Sequence, residues 1–307
     1  MKRLLLFLVL LLTASIVFVY LFIPAKQSFS VTELVPCTAT GAVRTLAINK
    51  GWPGEQHSDS SYLFQQMRYT AQNMQLNSFA LQLKNESLAA NAVLLVEEVH
   101  ADTAKFSINA VAVLAANPLS RVIEFFQLKK LKATASAMLT DMKQSFTDET
   151  IIYGMLIERT NVKDSTMISL RKTFPNEPTV QDVYAMIDAV RAYISSNNAE
   201  EQNAPMLHVY KEAEDSYLAM VAIPTKTDVV PNETFLLKRM LAGGFILTTD
   251  VTGGTKTVDH AFAIMKQYVT DHRKSTPAIP FQLLLTDRRT EPDTLKWKTK
   301  LYYPIFY

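Results

Sequence analysis

Hydrophobic and polar positions follow three different rhythms along the chain. The first is an apolar run from Leu4 to Ile23, preceded by Lys2 and Arg3. Its 20 residues, at about 1.5 Å each, span about 30 Å, the thickness of a bilayer's hydrocarbon core. The run is long for the apolar region of a signal peptide, and no small-x-small cleavage pattern follows it. It predicts an uncleaved transmembrane helix within residues 1–24, a cleaved signal peptide being the alternative. The two cations ahead of it imply a single-pass protein with its N-terminus in the cytoplasm and its soluble domains on the outer, periplasmic side.

A rhythm of two takes over next. "SVTELVPC" reads as a strand, and "TATGAVRTLAINKGWPG" as a helix ending in a Gly-Trp-Pro-Gly turn. From Tyr62 to Leu114 apolar residues alternate with polar ones, as in Phe79, Leu81 and Leu83 against Gln82 and Lys84. Helix spacing begins at Asn117-Pro118, a capping residue followed by proline at the first helical position, and ends near Phe146. Leu119, Val122, Phe126, Ala135, Met138, Met142 and Phe146 form its apolar stripe.

The remainder repeats itself. "TVQDVYAMI" (Thr179 to Ile187) returns as "TVDHAFAIM" (Thr257 to Met265), 78 residues later. Each begins with a threonine suited to helix capping, and Asp182 stands three residues after Thr179. A strand precedes each helix, a proline-led strand follows, and a last strand closes at a second proline. The unit is β-α-β-β, used twice. The charged stretch from Thr286 to Asp293 falls where "KEAEDS" falls in the first copy, so it reads as a solvated, salt-bridged hairpin tip.

The first half, through "KGWPG" (Lys50 to Gly54) and "NPLSRVIEFFQLKKLKATASAML" (Asn117 to Leu139), resembles the helix-grip fold of the START-like superfamily, also called SRPBCC or polyketide-cyclase-like. That resemblance implies a curved sheet around the long helix with an apolar cavity between them. The second half is similar to GyrI-like effector-binding domains, through "IYGMLIERTNVKDS", "APMLHVY", "MVAIP", "AGGFILTTDVTGGTKTVDHAF" and "TDRRTEPDTLKWKTKLYYP". The expected fold is α+β, with a transmembrane helix at 1–24, a START-like domain at 28–146 and a GyrI-like domain at 151–307.

In GyrI-like domains a groove between the repeats holds the ligand, lined by aromatics and facing a buried glutamate. Gln282, in "PFQLLL", matches that glutamate here. A neutral amide orients a ligand by hydrogen bonds but neither neutralises a cation nor acts as a general base. Tyr153, Tyr184, Tyr217, Trp297 and Tyr302 are the aromatic candidates for the groove, and Glu158 the candidate carboxylate. Ordinary core packing is the competing account of each aromatic.

Composition narrows the chemistry further. Lys plus Arg number 31 and Asp plus Glu 29, a net charge of +2 that offers no electrostatic footprint for nucleic acid. The single cysteine, Cys37, excludes an intrachain disulfide and reads as a small buried hydrophobe. The five histidines show no ligand-like spacing, so neither a metal nor another cofactor is expected. "TGGTKT" matches no phosphate-binding loop, and no nucleophile elbow or paired carboxylates assign a catalytic residue. The expected function is membrane-anchored binding or sensing of small hydrophobic or amphipathic molecules. The alternatives are a hydrolase or cyclase using the same pockets, and a structural or protein-interaction module.

Overall fold

The computed structural model describes residues 2–163, 165–240 and 243–306 of the chain. Asp164 and Ala242, from the segments quoted above, lie outside them. Among the described residues the chain forms two compact units, Met1–Gly154 and Met155–Tyr307.

The first unit begins with α1 (Lys2–Phe22), β1 (Lys26–Val35) and α2 (Ala39–Ala47). Six strands follow: β2 (Glu55–Ser58), β3 (Ser61–Phe64), β4 (Met67–Gln75), β5 (Ser78–Lys84), β6 (Ala89–His100) and β7 (Thr103–Val113). The long helix α3 (Pro118–Phe146) and the short α4 (Thr150–Tyr153) complete it. The sheet is an antiparallel meander in the order β1-β7-β6-β5-β4-β3-β2. β1 joins it at β7, in register from Lys26↔Val113 to Val35↔Ala104.

α3 starts where its cap dictates. The Asn117 side-chain oxygen accepts hydrogen bonds from the Leu119 and Ser120 amides, at 2.9 and 3.3 Å, satisfying two N–H groups that lack helical partners. From Leu128 to Phe146 the apolar stripe is buried, through Leu131, Ala135, Met138, Leu139 and Met142. The first turns depart from that stripe, since Leu119 and Phe126 are exposed and Arg121 is buried instead. These turns meet the end of α1 rather than the sheet. The Arg121 guanidinium lies 4.6 Å from the centre of the Tyr20 ring, and its Nε donates to the Ala115 carbonyl at 2.9 Å. The Tyr20 hydroxyl donates to the Ala116 carbonyl at 2.7 Å.

Trp52, Tyr62, Tyr69, Phe79, Phe106 and Phe146 pack into one core with the buried stripe of α3. The Trp52 indole donates to the Leu46 carbonyl at 3.0 Å, and the Tyr69 hydroxyl to the Pro53 carbonyl at 2.6 Å, so the two polar tips end on backbone acceptors. The Gly-Trp-Pro-Gly turn needs its glycines. Gly54 has φ of +90°, and a Cβ there would meet the Leu63 carbonyl oxygen at 2.2 Å. Cys37 belongs to this core, and burial, with a smaller effect from Glu149, pushes its thiol up to about 12. The unit ends at Gly154, in the left-handed conformation that closes α4. Ile151 and Ile152 of that helix pack against the core of this unit, which carries the divide past Thr150.

The second unit holds the two β-α-β-β copies. The first is β9 (Ser165–Phe174), α5 (Val180–Ser196), β10 (Met206–Ala213) and β11 (Ser216–Thr225). The second is β13 (Phe245–Thr252), α6 (Thr255–Asp271), β14 (Phe281–Leu284) and β15 (Lys298–Ile305). Each copy is preceded by a short strand, β8 (Glu158–Asn161) and β12 (Leu236–Met240) respectively. The eight strands form one sheet, in the order β12-β9-β11-β10-β14-β15-β13-β8. Each short strand thus flanks the copy that it does not precede: β12 pairs with β9, and β8 with β13.

The two helices begin differently. Thr179 and Asp182 form a reciprocal capping box on α5, with Thr179 Oγ1 accepting from the Asp182 amide at 3.2 Å and Asp182 accepting from the Thr179 amide at 3.0 Å. α6 starts at Thr255, with Gly254 at its cap, so Thr257 lies inside the helix rather than capping it.

Candidate functional site

The middle of this sheet is its weakest seam. β14 has four residues and pairs with β10 only through Met206↔Leu283 and Leu207↔Gln282. α5 packs on the β9-β11 half and α6 on the β13-β15 half, each forming a core of its own. A cavity of about 490 Å³ opens at the seam. α5 contributes Val180, Val183 and Tyr184 to it, and α6 contributes Asp259, Phe262, Ala263 and Lys266. The sheet contributes Leu207 and Val209 from β10, Gln282 from β14 and Tyr303 from β15. Strand alternation explains the last choice, because Leu301 and Tyr303 face the helices while Tyr302 points to the other side.

Arg288 also lines this cavity, projected into it by the loop between β14 and β15. Its Nη2 donates to Gln282 Oε1 at 3.0 Å and to Thr299 Oγ1 at 3.1 Å. The guanidinium lies 4.9 Å from the centre of the Trp297 ring, a cation-π arrangement. Its backbone amide donates to the Tyr184 hydroxyl at 2.8 Å, and that hydroxyl donates to the Thr286 carbonyl at 3.1 Å. Tyr184 therefore pins the loop to α5. Burial lowers the Arg288 guanidinium from its ordinary value, yet arginine's intrinsic basicity keeps it charged at neutral pH. Burial likewise holds His208, another lining residue, below the usual histidine range.

Its neighbours in the loop behave as a solvated hairpin tip. Arg289 pairs with Asp188 at 2.7 Å and with Asp287 at 2.9 Å, and these pairs are substantially exposed. Such pairs contribute little stability. Arg288 is the exception within the stretch read as a charged turn. A single sequence does not distinguish two adjacent arginines, because which one turns inward depends on where Trp297 and Gln282 come to lie.

Of the residues named from sequence, Tyr184, Tyr217 and Gln282 line the cavity together. The other four lie elsewhere. Tyr153 is buried in the first unit, with the Arg44 guanidinium 5.9 Å from its ring centre. Glu158 starts the exposed edge strand β8, opposite Thr248. Tyr302 stacks on Phe281, with ring centres 4.9 Å apart, on the sheet face away from the helices. Trp297 lies behind Arg288, where its indole donates to the Glu291 carbonyl at 2.8 Å. It supports the cavity's cation rather than forming its wall. Phe262, Tyr303 and Arg288 were not singled out from the sequence.

No family model matches the chain, and no curated protein matches it. Solved structures with a similar course of the chain include the EcmrR C-terminal domain, at 12% identity and a TM-score of 0.43, over 50% of this chain and 98% of that one. A hydrolase from Listeria innocua is similar at 16% identity and a TM-score of 0.37, over 49% of this chain and 91% of that one. The di-domain aromatase/cyclase BexL, from the BE-7585A biosynthetic pathway, is similar at 10% identity and a TM-score of 0.33, over 91% of this chain and 85% of that one.

Proposed function

We propose that this chain is a membrane-anchored protein that binds small hydrophobic or amphipathic molecules in the seam between α5 and α6. The observation that supports it most is the cavity itself. Its volume, about 490 Å³, lies in the range of small-molecule sites, and its lining is amphipathic, with apolar and aromatic side chains from both helices and the sheet beside charged and amide groups. The anchor is α1, whose segment Arg3–Phe22 has a mean hydropathy of 2.9 and is unburied by the rest of the protein. With Lys2 and Arg3 held in the cytoplasm, both compact units face the outer side.

Two measurements test the two parts. The full-length protein is expected in the membrane pellet after high-salt and carbonate washes. Recovery of a soluble chain starting near Ala25 would remove the anchor from the reading. For the cavity, Ala263→Trp places an indole in its open space from a position that is exposed and outside the core. Titration of the full-length protein with a lipophilic naphthylamine fluorophore should show about tenfold weaker binding in this variant, the scale of one lost apolar contact set. Equal affinity in the two proteins would place binding outside the seam.

A further inference from the structure

We propose that the seam cavity selects amphipathic anions, with Arg288 receiving a carboxylate or similar headgroup while the apolar body lies against Val183, Leu207, Phe262 and Tyr303. The inference deepens the binding function proposed above and rests on it. Three observations carry it.

First, Arg288 is a partly buried cation whose side-chain contacts are all neutral: an amide oxygen, a hydroxyl and an indole face. A cation withdrawn from water is costly unless an anion or a full set of acceptors replaces the lost solvent. Second, the acceptors present are incomplete. Both side-chain hydrogen bonds leave from Nη2, and no acceptor stands against Nε or Nη1 among the described residues. A guanidinium with donors unused in a cavity wall offers the planar fork that carboxylates accept.

Third, the other lining charges occupy different positions. Glu177, Lys211, Asp259 and Lys266 are exposed residues, two acidic and two basic, so their charges offset, although burial still raises the Asp259 carboxyl above its ordinary value. They leave Arg288 as the half-buried charge of the lining. Gln282 completes the arrangement. Its amide oxygen orients Arg288 without neutralising it, whereas a glutamate at this position would form an ion pair and occupy the cation internally. The amide thus leaves the positive charge to the ligand.

Calorimetric titration of the full-length protein in zwitterionic nanodiscs tests this, with empty nanodiscs as the blank. The probes are phenylbutanoate, phenylbutanamide and phenylbutylammonium, which share an apolar body and differ in head charge. Phenylbutanoate should bind about tenfold or more tightly than the amide, and the ammonium more weakly than both, as expected for a charge-assisted hydrogen bond. Arg288→Gln should abolish the preference for the anion, bringing phenylbutanoate to about the affinity of phenylbutanamide for the same variant, while an unchanged far-UV circular dichroism spectrum reports an intact fold. Gln282→Glu should lower phenylbutanoate affinity alone, because the new carboxylate takes Arg288, and this variant decides the matter should Arg288→Gln fail to fold. Equal binding of the three probes, or a preference that survives both substitutions, would overturn anion selection while leaving the cavity a binding site. Binding of none of the probes would overturn the binding function itself.

Discussion

Replacing Phe146 by alanine is expected to destabilise the first unit by about 3–5 kcal/mol, the cost of removing a large aromatic from a core that does not collapse around the void. Phe146 is fully buried at the last turn of α3. Its ring meets that of Phe106 edge-on, with centres 5.7 Å apart. It also lies under Gly51, where an added Cβ would come within 2.7 Å of the ring. Backbone therefore closes one side and the sheet another, and neither moves readily into the gap. Urea titration followed through Trp52 checks this. Trp297 is the other tryptophan, so a Trp297→Phe background isolates the signal. A midpoint shift worth less than about 1 kcal/mol would mean that the helix end relaxes into the void and does not hold the sheet as described.

The second large effect is expected at Trp297. Trp297→Ala should destabilise the second unit by about 3–5 kcal/mol, far more than Tyr184→Phe at about 1 kcal/mol. The tyrosine change removes one hydroxyl that links the Arg288 amide to the Thr286 carbonyl. The tryptophan change removes a buried ring, its hydrogen bond to Glu291 and the surface on which the Arg288 guanidinium rests. Far-UV circular dichroism during urea unfolding, compared across the two variants, measures the difference. Equal losses would show that the loop is held from α5 rather than from beneath.

Local signals and non-local ones fared differently in the sequence. Asn117-Pro118 announces the start of α3 because a cap and a proline act on the residues beside them. The repeated helices were legible for the same reason, although α6 begins two residues before the threonine that matched Thr179. The exposed first turns of α3 were not legible. Leu119 and Phe126 carry the helix period, but burial there depends on α1 and on Arg121, which hydropathy reads as an outward residue. In the candidate site, sequence reading reached Tyr184, Tyr217 and Gln282, which belong to the repeated elements. It missed Arg288, whose role is set by residues on β14 and β15 that meet only in the folded sheet.

The crossed edge strands bear on how this duplication is held together. β8 seals the edge of the second copy and β12 that of the first, so neither copy is closed by the strand that leads into it. A break in the connection between Thr225 and Leu236 would leave two fragments, each with two bare edges, one at the β10–β14 seam and one at the outer strand, and one unpaired strand. Each fragment carries the strand that the other lacks. Bare edges invite pairing with whatever strand is at hand, and here the matching strand is on the sister fragment. The two pieces are thus complementary parts, able to reassemble the eight-stranded sheet without a covalent link.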